Sequence, residues 1–251
     1  MFRDLIDDIH NYSIEPATYL DVPFVPTDDE VVEAMLDLAN VGPKDVLYDL
    51  GSGDGRILIT AARDRNTRGI GIDIDPMRIA DALEYAGWAR VEYLVDFVED
   101  DIFTADFSEA TVVTLYLLES VNRQLRPRLL NELRPGTRVV SHAFDMGDWK
   151  PDEWRNLNGI NIFKWIVPAR VAGVWEWGRA DGKRYRVELQ QKYQEVTGKA
   201  WLAGKKIQIA SAKLTGPRLE LKLRKAKTTP LDGFTLIFAN NQLQSVVADK
   251  R

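Results

Sequence analysis

The apolar positions of this chain change their rhythm near residue 161. Before it, short continuous apolar runs alternate with stretches in which apolar residues return every third or fourth position. After it, only alternation at every second residue remains. In the first part the runs at 46–50, 69–74, 91–99, 111–118 and 137–144 predict five strands, short and apolar enough to be buried in a parallel sheet. Between them lie predicted helices. Thr27-Asp28-Asp29-Glu30 has the form of a capping box and opens one with Val31, Met35, Leu38 and Ala39 on its inner face, ending near Gly42-Pro43. A second starts with the apolar stretch 57–62. A third starts at the cap and first-turn pair Asp75-Pro76, with Ile79, Ala82, Leu83 and Ala86 on one face, and a fourth spans 119–133 despite Pro127. Strand and helix in alternation predict a doubly wound α/β sheet. Residues 1–26 give no core helix beyond a short amphipathic turn, and the prolines of the 19–27 stretch predict an extended arm.

Beyond residue 161, the run 161–167 completes the sheet, and the runs 174–177, 184–193, 205–209, 219–223 and 234–238 predict a small antiparallel barrel or sandwich. Residues 180–183 and Asp232-Gly233 read as its turns. The resulting division is 1–172, with the arm at 1–26, and an all-β domain at 173–251. Charge follows the same division: Lys and Arg number 17 against 32 Asp and Glu over residues 1–177, a balance of −15, but 16 against 6 over 178–251, a balance of +10. Hydrophobic residues make up 45% of the 251, enough for a substantial core. The absence of cysteine excludes disulfides, thiolate zinc sites and a cysteine nucleophile, and with only His10 and His142 as imidazoles no metal is expected. No run of 18 apolar residues occurs and the first ten residues are acidic and amphipathic, so a cytoplasmic protein is expected.

The candidate chemistry is centred on the strand 46–50, which ends in Asp49-Leu50 and breaks into Gly51, Gly53 and Gly55 before a helix. Glycine serves where the backbone turns with positive φ or comes close to a ligand. The second strand ends in Asp73, 22 residues after Gly51, the spacing at which a βαβ unit brings a carboxylate to ribose hydroxyls. No Gly-Lys-Ser/Thr follows the loop, and Asp49 and Asp54 beside it oppose a pyrophosphate, so a cationic nucleoside fits better. The stretch Asp49-Leu50-Gly51-Ser52-Gly53-Asp54-Gly55-Arg56 with Asp73 resembles the first two motifs of class I S-adenosylmethionine (SAM)-dependent methyltransferases. Val22-Pro23-Phe24-Val25-Pro26-Thr27, the block from Thr114-Leu115-Tyr116-Leu117-Leu118 to Asn122, and the stretch from Pro135-Gly136 to His142 narrow that resemblance. They are similar to the archaeal and mitochondrial-type protein-lysine methyltransferases. The resemblance covers about residues 15–150 and leaves out the tail.

What the resemblance implies is a Rossmann-like, seven-stranded class I sheet that binds SAM and methylates a lysine of a protein. Asp49, with Gly51, Ser52 and Gly53, would hold the methionine part. Asp73 would take the ribose, and Asp101 the adenine amino group, with Glu99 and Asp100 competing for that position. Ile74 and Ile102 would enclose the ring. Tyr116 and Asn122 would be catalytic, and Tyr19, Phe24, Pro26, Thr27, Leu117, Leu118 and Glu119 would form the acceptor rim. A lysine attacks only as the neutral amine, and an apolar entrance lowers its pKa. Other readings stand beside these. Thr27 also reads as a helix cap, Asn122 as a cap or a solvent-facing residue, and Tyr116 as a packed sheet residue. His142 reads as a hydrogen-bonded core residue or a proton acceptor. A small-molecule or lipid head-group acceptor, or a SAM-binding platform without activity, are the alternatives for the whole. The basic tail, with Lys205, Lys206, Lys222, Arg224, Lys225 and Lys227, fits a solvated face, an acidic partner, an anionic membrane surface, nucleic acid, or docking on the acidic first domain. It carries no recognisable nucleic-acid motif.

Overall fold

A computed structural model describes residues 24–179, 181–226 and 228–249. The first helix, α1 (Asp29–Ala39), buries Val31, Val32, Met35, Leu36, Leu38 and Ala39 and places Asp29 and Glu30 in its first turn, where the helix dipole favours acids. The capping-box expectation for Thr27 is corrected here. Asp28 is the N-cap, no side chain caps the helix, and the Thr27 hydroxyl faces His142. Asn40 ends the helix in the left-handed conformation, before the expected Gly42-Pro43.

Alternation then proceeds through β1 (Val46–Leu50), α2 (Arg56–Arg65), β2 (Arg68–Asp73), α3 (Pro76–Ala89), β3 (Val95–Glu99), β4 (Val112–Leu115), α4 (Glu119–Glu132) and β5 (Arg138–His142). As the sequence implied, Asp75 caps α3 by accepting from the Met77 amide at 2.8 Å. Two further strands, β6 (Glu153–Leu157) and β7 (Ile160–Ile166), complete a seven-stranded sheet of order β3-β2-β1-β4-β5-β7-β6. The first five strands run parallel, β7 pairs antiparallel with β5, and β6 pairs antiparallel with β7 at the edge. The strand β6 is missing from the sequence reading because it is the outer edge strand and mostly exposed, with no buried face to impose alternation. β1 lies inside the sheet, with Leu47 and Leu50 fully buried on opposite faces. Val31, Leu36 and Leu58 from α1 and α2 pack on one side, and Leu125 and Leu129 of α4 with Phe107, Trp149 and Trp165 on the other.

The second sheet is an antiparallel meander of seven strands that curls into a near-barrel: β8 (Gly173–Gly178), β9 (Arg184–Lys192), β10 (Glu195–Leu202), β11 (Lys205–Thr215), β12 (Arg218–Arg224), β13 (Asp232–Ala239) and β14 (Gln242–Ala248). β10 and β14 were not expected, because each offers few buried positions and Gly198 interrupts β10. Gly198 is small for a reason: a Cβ there would meet the Glu188 carbonyl of β9 at 2.1 Å. Asp232-Gly233, expected as a turn, opens β13 instead, where buried Asp232 accepts from the Tyr185 hydroxyl at 2.8 Å. Trp175 and Trp177 of β8 meet Phe238 and Phe234 of β13 edge-on, bringing distant strands of the meander together.

The change of core falls between Val167, packed with the first sheet, and Ala169, packed with the second. The two units are docked on each other. Lys192, Tyr193 and Gln194 of the β9–β10 turn reach across, Tyr193 and Lys192 bonding Asp148 at 3.0 and 2.9 Å and Gln194 accepting from the Trp149 indole at 3.0 Å. Lys192 and Tyr193, with Arg126, hold the Asp148 carboxyl well below the usual range. Part of the tail's positive charge therefore faces its own acidic neighbour.

A cofactor cavity at the strand ends

β1 to β4 all end on one side of the sheet, and the loops beyond them enclose a cavity of about 1030 Å³ counted out to its open mouth. Its wall includes Asp49, Gly51, Ser52, Gly53, Asp73, Ile74, Asp101, Ile102, Tyr116 and Leu117, together with Phe24, Pro26 and Thr27. These residues come from five separate segments, and the ends of parallel strands are where the fold brings them together.

The loop is shaped by what packs on it. Gly51 has φ +80 and a Cβ there would lie 2.7 Å from the Leu117 side chain; Gly53 has φ +52 and its Cβ would lie 2.4 Å from the Phe24 ring. Both positions need glycine for conformation and for room. The amides of Gly51 and Gly53, expected to meet a ligand carboxylate, are engaged within the protein, with the Ile72 carbonyl at 2.8 Å and with Asp73 Oδ2 at 2.7 Å. Asp73 is thereby oriented, since its other oxygen accepts from the Asp75 amide at 3.0 Å. Asp101 is held in the same manner, accepting from the Phe103 amide at 2.8 Å.

Charge in the cavity is distributed unevenly. Asp54 is bound by the guanidinium of Arg56, with its closest contact at 2.6 Å, so its charge is matched within the wall. Among the described residues, no cation pairs with Asp49 in this way. It is 2% exposed, and its carboxylate accepts from the Thr114 hydroxyl at 2.7 Å. Burial pushes its pKa up to about 7, with nearby Asp73 and Asp54 adding to the shift and the Thr114 bond opposing it. A cationic group beside Asp49 would relieve that cost. Among the described residues, no three His, Asp or Glu side chains gather as a metal site.

Just beyond β4, the Tyr116 ring stacks on His142 with centroids 3.7 Å apart and planes 29° from parallel. Some expected residues lie elsewhere. Asn122 is fully buried and outside the wall, donating to Ser141 Oγ at 3.1 Å and the Phe144 carbonyl at 3.2 Å, so it holds the loop after β5. Leu118 and Glu119 stand outside the wall as well, exposed at the start of α4. Tyr19 lies outside the described residues. The sequence reading missed Arg78, Phe103 and Val121, which also line the wall. For Arg78 the signal was present in the Asp75-Pro76 helix start beside a ribose-directed acid, because the first turn of α3 borders the cavity.

The model of the ANTKMT methyltransferase domain family matches residues 49–153. A protein-lysine N-methyltransferase of Saccharolobus islandicus is 49% identical over 133 residues, which are 53% of this chain and 83% of that enzyme. The chain belongs to this lysine methyltransferase family. The mouse adenine nucleotide translocase lysine N-methyltransferase is 32% identical over 53% of this chain and 57% of its own length, so the match spans little more than half of that relative. A solved structure from Salinibacter ruber, described as an RNA methyltransferase in complex with S-adenosylhomocysteine, is 56% identical with a TM-score of 0.58, covering 59% of this chain and 96% of that one. The part of the Saccharolobus enzyme left unmatched, about a sixth, is too short to contain a second seven-stranded sheet.

The protein is thus a class I methyltransferase with SAM as its cofactor, and the cavity fits that molecule on its own terms. Buried Asp49 suits an ammonium, the fixed carboxylate of Asp73 suits hydroxyls, and Ile74, Ile102 and Phe103 supply apolar surface for a flat ring. Arg56 and Arg78 are both spent on acids, at Asp54 and Asp81. The acids that remain disfavour a polyphosphate.

Proposed function

We propose that this enzyme methylates the ε-amine of a lysine in a protein substrate. The observation that carries the proposal is the cavity itself, where the buried Asp49 is bonded to Thr114 of the neighbouring strand and the Tyr116–Leu117 corner follows directly after that strand. Bound SAM would supply a methyl group already activated by its sulfonium. The task left to the chain is to hold two reactants in line and keep water away. Asp49 would fix the cofactor's ammonium and Asp73 its ribose. Phe24, Pro26, Tyr116, Leu117 and Val121 would present apolar surface where the amine arrives. In that setting an ammonium loses its proton more readily than in water, and the Tyr116 ring face can stabilise positive charge on the reacting groups. The acidity of residues 1–177 suits a basic, lysine-bearing surface.

The names of the Saccharolobus and mouse relatives support a protein acceptor. The name of the Salinibacter structure favours RNA, and the +10 balance of residues 178–251 gives that second reading a surface to use. Labelled SAM added to enzyme and cell extract separates them. Label on protein bands that is removed by lysine blocking supports the proposal. Label in the RNA or small-molecule fraction, absent with the Asp49→Ala enzyme, refutes it.

A further inference from the structure

We infer that His142 is a positioning residue that ties the N-terminal arm to the ring of Tyr116, so that one side chain sets both cofactor enclosure and acceptor orientation. The inference rests on the methyltransferase reading of the cavity and deepens it.

His142 is the last residue of β5 and is 4% exposed. One face of its ring stacks on Tyr116. Its Nδ1 lies 3.3 Å from the Thr27 hydroxyl, across 115 residues of sequence. Thr27 is 3% exposed, and its carbonyl accepts from Arg56 at 2.9 Å, the same guanidinium that binds Asp54 of the cofactor loop. Three residues earlier in the chain, the Phe24 ring covers Gly53 and carries the Arg78 guanidinium over it at 4.9 Å. The arm is thus fastened to the loop at Gly53 and Arg56, and to the acceptor corner at His142.

The surroundings keep that histidine in place. Ala143 turns the chain directly after it with φ +64, a conformation unfavourable for alanine that a tightly held backbone can sustain. Ser141 donates to the Phe144 carbonyl at 2.7 Å, and Asn122 holds the same loop from α4. Burial lowers the pKa of the imidazole, with Asp28 opposing the shift. His142 is not among the described residues that line the cavity and reaches it through the stacked Tyr116 ring, so it acts on the acceptor by geometry and not by taking its proton.

Two properties of His142 can be removed separately. His142→Phe keeps a flat ring for Tyr116 and deletes the partner of Thr27; His142→Asn keeps a polar atom near Nδ1 and deletes the ring. S-adenosylhomocysteine affinity is measured by calorimetry, and kcat and KM on the methylated protein by steady-state kinetics. His142→Phe should lose more in cofactor affinity than in kcat, and His142→Asn the reverse. Thr27→Val should weaken S-adenosylhomocysteine binding about fivefold to tenfold, the range for one lost buried hydrogen bond, and Thr27→Ser should restore it. Equal losses in both histidine variants, or wild-type affinity in Thr27→Val, would overturn the inference. The threonine pair decides the outcome even where a histidine variant fails to fold. Wild-type enzyme that binds no S-adenosylhomocysteine would sink the cavity reading beneath it, whereas binding without a methylated protein would sink only the proposed acceptor.

Discussion

Asp49→Asn should stabilise the cofactor-free enzyme at neutral pH while weakening cofactor binding. Asp49 is buried with the Thr114 hydroxyl as its hydrogen-bond partner, and its folded pKa stands near 7, about three units above the 3.8 of an exposed aspartate. A group whose folded pKa is raised binds a proton in the folded state that the unfolded chain has released. Stability therefore falls as pH rises from about 4 to 7, by about 1.4 kcal/mol per unit, and levels off above. The loss approaches about 4 kcal/mol at pH 8. Asparagine is nearly isosteric, can still accept from Thr114 and carries no charge. The variant should melt with wild type near pH 4 and about 8–16 °C higher at pH 8, followed by thermal unfolding without ligand. Cofactor binding should respond in the opposite sense. An ammonium beside Asp49 favours the ionised form, so wild-type affinity for S-adenosylhomocysteine should fall about tenfold for each unit below pH 7, with proton release on binding. Asp49→Asn should bind roughly tenfold to hundredfold more weakly at pH 8, the range for a charged hydrogen bond. Melting curves that coincide at every pH, or unchanged affinity in the variant, would refute the reasoning.

Gly53→Ala should lose at least tenfold in S-adenosylhomocysteine affinity by calorimetry, from the strain of alanine at φ +52 and the clash with the Phe24 ring. Adding Phe24→Ala should recover only the clash, so a double-mutant cycle should show coupling between the two positions. Tyr116→Ala should lower kcat at least tenfold with a smaller change in cofactor affinity, whereas Tyr116→Phe, which keeps the ring, should retain most of the rate; single-turnover and steady-state kinetics check this. Removing residues 173–251 should lower the melting temperature, because it uncovers Trp149 and leaves Asp148 without Lys192 and Tyr193. It should leave S-adenosylhomocysteine affinity within about threefold, since the described residues that line the cavity all fall within 24–121, and binding lost along with the fold would make the second sheet an obligatory brace.

The strand, glycine loop and helix at 46–65, Asp73 one unit later and the Asp75-Pro76 cap were all legible in the linear chain. They depend on interactions within a few tens of residues: a buried strand is apolar throughout, a loop of positive φ needs glycine, and a βαβ unit fixes the distance to its next acid. The switch to two-residue alternation likewise announced a second, all-β unit, because a sheet with one buried face writes its burial into every second position.

What only the tertiary structure decided are the pairings made across long stretches of chain. Phe24 over Gly53, Thr27 with His142 and Asn122 with the loop after β5 leave no periodic trace, because each is a single contact between segments brought together by the sheet. Thr27 illustrates the point: locally it is a good helix cap, yet its hydroxyl goes to a histidine 115 residues away and the helix starts without it. The edge strands β6 and β14 escaped for the opposite reason, since strands exposed to solvent are under no constraint to alternate. Local rules specify elements where burial or backbone strain acts on neighbours in sequence. Which polar side chain satisfies which, and hence what closes the site, is fixed only when packing has chosen the neighbours in space.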